Sequence, residues 1–502
     1  MLIRWPFFTC NKMTWDHLQS RLVNAGLLIH ADRSMDHTTI TGISQDSRKI
    51  QPGYVFVSIH GHAEHGSSYI HHALDAGAAI IVSEDERNDI PNLVQVTHAR
   101  KACAIIAAAF YHDPGNSLHL TGVTGTNGKT TTATVLHHVF ESTGTPTGLI
   151  GTVTCRTGHA TYTSHLTTPD ATELQPMLAE MVQSDCKACV IEVSSHALDQ
   201  YRTGTLHFST GIFTNLKQDH LDYHQTFEHY LSSKKRLFDG LPRHATAVYN
   251  QDDPAGDQIV KDTRAKKCSF GQNTKADIQF RIVEDSPRGL MLNLDGQTCQ
   301  FRLAGTFNAY NLAAAYSAAR VTGLGASDVI NALSTAPPVS GRYEQYQCND
   351  QTRIIIDYAH TPDALEQVLK SLHTSRRHPS QIWCLFGCGG NRDRLKRPLM
   401  GAIAENLADH VVITKDNPRR ESAHSITQEI LGGMQSPQHA HQIPCRSEAV
   451  RFVAQSCHPG DIVLLAGKGH EPAQLEHESS ITMSDQQLVL DAFSAVSPAQ
   501  LN

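Results

Sequence analysis

Long apolar runs are missing from this sequence, and nothing in it is long enough to span a membrane. The opening stretch, "MLIRWPFFTCNKMTW", has one arginine and a short apolar patch. It lacks the long apolar core and small-residue cleavage site of a secretory signal, and reads as an extended start before Met13. An excess of positive charge is missing too. With a formal net charge of -7, the chain has no global basic field to drive nonspecific nucleic-acid binding, so any anionic ligand must be held locally. Repeats and low-complexity linkers are absent. The 12 cysteines are scattered, with Cys186/Cys189 and Cys384/Cys388 as the tightest pairs. No second CxxC stands at zinc-ribbon spacing, which points to buried free thiols in a reducing cytoplasm rather than to metal or disulfides.

What is present is the composition of a globular protein of about three domains: 502 residues, 40% hydrophobic and 18% charged. The 31 histidines are many, but most, such as His71, His72, His137 and His138, sit in helix-like stretches without ligand spacing. The pattern changes character twice. Residues 1–105 mix short strands ("GYVFVSI", "AAIIVSEDE") with helix ("SYIHHALDAG"), as a smaller α/β domain would. Residues 106–338 alternate apolar runs ("LHLTGVTG", "CVIEVSS", "TGIFTNL", "ATAVYN") with amphipathic helices, which predicts a mostly parallel sheet. Residues 339–502 repeat the scheme with "RIIIDYAH", "QIWCLFGCGG", "DHVVITKDN" and "DIVLLAGKGH". Each run ends in a polar or glycine-rich tip, where open α/β sheets place ligands.

One tip is "GVTGTNGKTT", residues 122–131. It departs from the strict GxxxxGK[ST] phosphate loop, because Val123 stands five before Gly128. The physical parts remain: Gly125 and Gly128 let backbone N–H groups close on phosphate oxygens, the following helix adds its N-terminal dipole, Lys129 can bridge outer phosphates and Thr130 can hold Mg²⁺. A Mg²⁺–ATP site needs further oxygen ligands, and Glu192 ends the next apolar strand, with Ser194, Gln200 and Arg202 in the loop after it. A third tip, "FTNLKQDHLDYH", crowds Asp219, His220, Asp222 and His224 together, and spacing alone does not choose among them.

"GVTGTNGKTT", "EVSSHALDQYR", "FTNLKQDHLDYH", "YLSSKKRLF", "LAGTFNAYNLAAA", "GRYE", "DYAHTPDAL" and "DNPRRE" occur in this order. As an ordered set covering nearly the whole chain they resemble the ATP-dependent Mur ligases of peptidoglycan precursor synthesis. The resemblance implies a UDP-binding N-terminal domain, a central P-loop ATPase domain and a Rossmann-like C-terminal domain that brings an amino acid. It implies ATP and Mg²⁺ as cofactors, and UDP-N-acetylmuramoyl-L-alanyl-D-glutamate and meso-2,6-diaminopimelate as substrates. The expected enzyme is a cytoplasmic monomer. Gly125, Thr126, Asn127, Gly128, Lys129, Thr130 and Thr131 match the ATP loop, and Asn308, Asn311, Arg342 and Asp357 match residues around the nucleotide. Glu192 and His220 match Mg²⁺ contacts. Lys234 matches the lysine that such ligases carbamylate, although by itself it reads as a helix-face lysine. For the UDP-sugar dipeptide, Gln45, Ser47, His62, Ala63 and Glu64 match the N-terminal surface, and Thr167, Thr168, Ser194, Gln200 and Arg202 match the central one. Tyr343, Asn391 and Lys415 depart from the family's usual residues without removing a catalytic group.

Meso-diaminopimelate differs from lysine by a distal carboxylate, so a site preferring it should offer a guanidinium there and an acid for the adjacent ammonium. Arg392, the run Asp416, Asn417, Pro418 and Arg419, and Gly467 with Glu471 match such a pocket, while Arg420 reads as exposed. The competing readings are an L-lysine-adding ligase, a folylpolyglutamate synthase and a P-loop switch or motor. The last two leave "DNPRRE" with "GKGHE" unexplained.

Overall fold

The computed structural model describes residues 12–61, 65–87, 89–163, 166–476, 479–493 and 497–498. Three α/β units follow one another along the chain. The first is built on a five-stranded sheet in the order Leu28–His30, Leu93–Val96, Ile80–Ser83, Tyr54–Val57, Gly42–Ser44, parallel except at Leu28–His30. In Tyr54–Val57 the side chains alternate as strand geometry requires. Val55 and Val57 pack with Trp15, Leu18 and the alanine-rich helix Ala99–Phe110, while Phe56 packs on the other face with Ile70. This core continues until His112 and Asp113, both at positive φ, break the helix, so the division drawn at residues 105/106 falls inside it.

The central unit carries an 11-stranded sheet. Its middle is parallel: Thr147–Ile150, Ala188–Glu192, His119–Thr124, Thr210–Phe213, Thr246–Asn250, Lys266–Gly271 and Ile278–Ser286 lie in that order. The strand leading into the phosphate loop, His119–Thr124, lies between the two strands that end at Glu192 and before Thr214. This is where chain order reverses, so a crevice opens at the strands' carboxyl ends. Antiparallel pieces extend both margins. Cys155–Arg156 and Thr161–Tyr162 add to one, and Gly289–Leu294 and Gln297–Phe301 to the other. The last two form a hairpin turning at Asp295-Gly296, both at positive φ, the Asp-Gly signature of a tight primed turn. Apolar cores cover both sheet faces, one around the helices Lys129–Ser142 and Thr306–Val321 and the other around Ala171–Gln183 and Phe227–Asp239. Cys186 and Cys189 are free, buried thiols of the second core.

The third unit has a seven-stranded sheet. Its parallel part runs His441–Gln442, His410–Ile413, Ile382–Phe386, Ile462–Ala466, Arg353–Asp357, with Glu344–Gln347 antiparallel beside it. No helix among the described residues is long and apolar enough to cross a membrane.

Candidate active site

The helix Lys129–Ser142 begins at Gly128 with no side chain capping its first turn, which leaves N–H groups for an anion. Both loop glycines are required by close contact as well as by positive φ. A Cβ on Gly125 would stand 1.9 Å from Thr214 Oγ1, and one on Gly128 2.2 Å from Asn311 Oδ1. Asn311 is fixed in turn, its Nδ2 donating to Asn308 Oδ1 (2.8 Å) while Asn308 Nδ2 donates to the Ala304 carbonyl (2.7 Å). Lys129 Nζ donates to the carbonyls of Gly125 and Thr126, both at 2.8 Å. Its pKa is lowered by burial, against the pull of Glu192 and Asp219.

Thr130 joins two domains. Its hydroxyl donates to Glu192 Oε2 (2.9 Å) and accepts from Arg342 Nη2 (3.1 Å). Glu192 also accepts from the Thr152 N–H (2.8 Å) and hydroxyl (3.1 Å), so its buried carboxylate is aimed by three donors. Arg342 lies over the Tyr358 ring at 4.4 Å. Asp357 accepts from the backbone N–H groups of Tyr343 (2.6 Å) and Ala359 (2.8 Å), and burial raises its pKa to about 6.

His220 is in the left-handed region (φ 55) with Nε2 3.3 Å from Asp219 Oδ2. Burial lowers its pKa, Asp219 opposes this, and Lys234 and Lys129 lower it further, so the ring is held neutral, the form that ligates metals. Lys234, on the helix Phe227–Asp239, is buried with Nζ donating to the Gly125 carbonyl (2.8 Å) and lying 4.5 Å above the Tyr230 ring. Burial, reinforced by Lys129, lowers its pKa well below the usual range.

These groups surround a cavity of about 660 Å³, within the size range of small-molecule sites. Thr126 to Thr131, Thr167, Glu192, His220, Asn311, Arg342 and Asp357 line it. Gly125, Asn308 and Lys234 stand behind that wall, reaching it through the contacts just described. Phe270, Ile282 and Phe307 add apolar surface to its lining, as does Tyr310, whose hydroxyl donates to Asp252 (3.1 Å). Sequence reasoning missed Thr152, Asn215, Tyr310, His360 and Asp363, and did not select Asp219 from its crowd. Asp363, in the first turn of Pro362–Ser375, accepts from Asn127 Nδ2 at 3.0 Å and so ties the C-terminal unit to the phosphate loop.

Beside this cavity, Arg202 donates to the Thr168 carbonyl (2.7 Å) and to Gln200 Oε1 (2.8 Å), and pairs with Asp170 at 3.0 Å. Thr168 Oγ1 donates to the Glu192 carbonyl (2.7 Å) and accepts from the Ser194 N–H (3.0 Å), and Thr167 Oγ1 lies 3.1 Å from Thr152 Oγ1, whose own proton goes to Glu192. The structure therefore brings Thr167, Thr168, Ser194, Gln200 and Arg202 into one network around Glu192. Gln45 and Ser47 lie at the carboxyl end of the N-terminal strand Gly42–Ser44, whose domain is pinned to the central one by Lys49 and Glu173 at 2.6 Å. His62, Ala63 and Glu64 fall outside the described residues.

The C-terminal loops converge as well. Asn417 Nδ2 donates to Glu471 Oε2 (2.7 Å), its Oδ1 accepts from the Leu475 N–H (2.7 Å), and Tyr358 donates to Glu471 Oε1 (3.3 Å). Gly467 (φ 105) lets Asp416 in, since a Cβ there would meet Asp416 Oδ2 at 2.6 Å. Pro418 is buried beneath the loop, and its carbonyl would meet a Cβ on Gly390 at 1.9 Å. Arg419 (φ 52) is half-buried, donating from Nη1 to the Gly390 carbonyl (2.9 Å), with Arg392 close enough to repel it. Arg392 is exposed and lies 4.0 Å from Asp222 of the central unit, and Arg420 is exposed.

The donor set beside the loop is a hydroxyl, a carboxylate and a neutral imidazole. Among the described residues no group of three or more His, Cys, Asp or Glu side chains is placed to hold a metal ion by itself. The hydroxyl and carboxylate oxygens of Thr130 and Glu192 are of the hard type that Mg²⁺ takes, its shell being completed by phosphate and water.

A phosphate loop facing a second α/β unit, which brings its own charged loops to the same cleft, defines a nucleotide-dependent enzyme working between domains. Three family models match in chain order: "Mur ligase family, catalytic domain" over 39–111, "Mur ligase middle domain" over 123–319, and "Mur ligase, glutamate ligase domain" over 341–469. The chain belongs to the Mur ligase family. It is 41% identical to the UDP-N-acetylmuramoyl-L-alanyl-D-glutamate–2,6-diaminopimelate ligase of Cytophaga hutchinsonii, over 87% of this chain and 90% of that one. With the ligase of the same name from Phocaeicola vulgatus it is 40% identical, over 90% and 95%. A solved structure of a ligase so named matches with TM-score 0.68 and 31% identity, covering 96% of this chain and 99% of that one. The MurF ligase of Thermotoga maritima in complex with ADP shares the fold (TM-score 0.62, 18% identity, 85% and 93% covered).

Proposed function

We infer that this chain is the ATP-dependent ligase that joins meso-2,6-diaminopimelate to UDP-N-acetylmuramoyl-L-alanyl-D-glutamate in peptidoglycan precursor synthesis. The observation that carries the reading is the phosphate loop sharing one cavity with Thr167 of the central unit and with Arg342 and Tyr358 of the C-terminal unit, in a chain about 40% identical to ligases of that name across nearly its whole length; Tyr358 donates in turn to Glu471.

An ionised carboxylate is a poor acyl electrophile, so its oxygen must first become part of a leaving group. The D-glutamate carboxylate oxygen attacks the γ-phosphorus of ATP, the bond to the β-phosphate oxygen breaks, and acyl phosphate and ADP result. Lys129 swings from its own loop carbonyls onto the charge developing on the γ-phosphate, and Arg342, beside Thr130, supplies a second cation from the C-terminal unit. The free amine of diaminopimelate then attacks the acyl carbon, the C–O bond to phosphate breaks, and the amine's proton leaves with the product phosphate or water. Closure of the C-terminal unit, held at Asn127–Asp363 and Arg342–Thr130, excludes water that would hydrolyse the acyl phosphate.

Thr130, Glu192, His220 and Lys234 as its carbamate would hold Mg²⁺, which supplies charge neutralisation at the phosphates when bound. Burial favours the uncharged amine of Lys234, the form that adds to CO₂ and loses one proton to give the carbamate. Gln45, Ser47, Thr167, Thr168, Ser194, Gln200 and Arg202 receive the UDP-sugar dipeptide. Arg419 and Arg392 take the distal carboxylate of diaminopimelate, with Asn417, Asp416 and Glu471 at its ammonium. The enzyme works in the cytoplasm as a monomer.

A ligation assay over candidate amino acids, with each product identified by mass, tests this. A product carrying diaminopimelate is expected, and comparable kcat/KM for L-lysine would make the lysine-adding reaction the better description.

A further inference from the structure

Beneath the amino-acid loops lies a layer of charge that the ligation steps do not use. Arg446 and Asp485, both fully buried, are joined by two hydrogen bonds of 2.7 Å, Nε to Oδ1 and Nη2 to Oδ2. Arg446 Nη1 is buried without a hydrogen-bond partner. Lys468, also fully buried, donates from Nζ to the Ala473 carbonyl and lies 4.0 Å from Glu471 Oε2. Asp416 completes the group, pressed against Gly467.

Arg446 and Asp485 neutralise one another. What remains is two carboxylates, Asp416 and Glu471, against one ammonium, Lys468. Two carboxylates in one dry site share a proton unless a cation holds both ionised. Burial pushes both of these up, opposed at Asp416 first by Arg446 and then by Lys468, with Asp485 adding to the rise, and at Glu471, which Asp416 raises further, by the Asn417 hydrogen bond and then by Lys468. The other charged or titratable neighbours are Lys396 toward Asp416, Tyr358 toward Glu471, and Arg419 at the mouth. Lys396 is itself committed to the His360 carbonyl at 2.7 Å.

We infer that Lys468 is a positioning residue that sets specificity: its buried ammonium keeps Asp416 and Glu471 ionised together, leaving the pocket one cation short and selecting an amino acid with an ammonium beside its distal carboxylate. This rests on the substrate reading above and deepens it. The substrate's ammonium completes the charge balance of the inner layer, and its distal carboxylate goes to Arg419. Burying an ammonium is costly, and an apolar side chain of similar volume often serves packing as well or better, so packing alone does not account for a lysine here.

The test compares meso-diaminopimelate with (S)-2-aminopimelate, which keeps the reacting end and distal carboxylate but lacks the distal ammonium. Both are assayed with wild type, Lys468→Met and Lys468→Gln, the last keeping a donor for the Ala473 carbonyl. In both variants kcat/KM for diaminopimelate should fall about tenfold or more, the cost of displacing a proton held one pH unit more tightly, mainly through KM. The values for 2-aminopimelate and the KM for ATP should stay within about threefold, less than half the free energy of one such unit. Equal losses on both amino acids, or no loss on diaminopimelate, would overturn the inference and leave Lys468 a packing residue. If Lys468→Met does not fold, Lys468→Gln carries the same reading. A wild-type enzyme that ligates neither compound overturns the substrate reading instead, and this inference with it.

Discussion

At the phosphate end of the cleft, recognition comes from backbone. Two glycines without room for a Cβ, an uncapped helix start and a lysine resting on its own loop leave N–H groups and one cation ready for phosphate oxygens. At the end proposed to take the amino acid, polar and charged side chains are gathered from three separate strand tips and backed by a buried layer of charge. The first arrangement addresses only phosphate oxygens, which every triphosphate presents alike. The second discriminates, because each charged group must meet its complement or remain buried and unpaired. Generality and selectivity are thus divided between two domains, and ligation occurs where they meet.

The largest effect should come from breaking the selective end. Arg419→Ala removes the guanidinium proposed to hold the distal carboxylate, and sites built on such a polar contact reject the analogue lacking it by roughly 10⁴–10⁵. The preference for diaminopimelate over L-lysine, measured as a ratio of kcat/KM, should fall by most of that range, chiefly through weaker diaminopimelate binding. An unchanged ratio would show that Arg419 does not read the substrate. At the general end, Lys129→Ala should slow ligation roughly 10²–10³-fold whatever amino acid is offered, as loss of one preorganised electrostatic group does. A loss that depended on the amino acid would blur the division between the two ends. Lys234→Ala should remove most activity. Bicarbonate should not help this variant, whereas a short carboxylic acid, entering beside Gly125, should restore part of the rate. Full activity without additives would refute the carbamate. The smallest effect is expected from Arg420→Ala, next to Arg419 but exposed, which should change stability by no more than about 0.5 kcal/mol and leave the preference intact.

The same division explains what could be read from sequence. Gly125 to Thr131 stand consecutively before a helix, so a backbone-built site is written in one place. The C-terminal loops were legible as an ordered set of motifs, since each sits at the end of an apolar strand run. Asp219 was not separable from His220, Asp222 and His224, because spacing does not say which side chains a left-handed residue at 220 turns inward. The hairpin at Asp295-Gly296 carried its signal openly, yet the parallel pattern before it masked the change of direction. Asp363 and Tyr310 reach the cavity only through tertiary packing. Arg446, Asp485 and Lys468 were least legible, because a charge in a sequence reads as surface until its partner is known.

The hydrogen bond between Asn127 and Asp363 has a pharmacological consequence. With the Arg342–Thr130 contact, it forms a polar seam between the phosphate loop and the C-terminal unit. A small molecule that offered its own donor to Asp363 and its own acceptor to Asn127 would wedge the two domains apart. It would need to resemble neither nucleotide nor amino acid, and enzymes that use ATP through the same kind of loop but lack this second domain would offer it no matching seam.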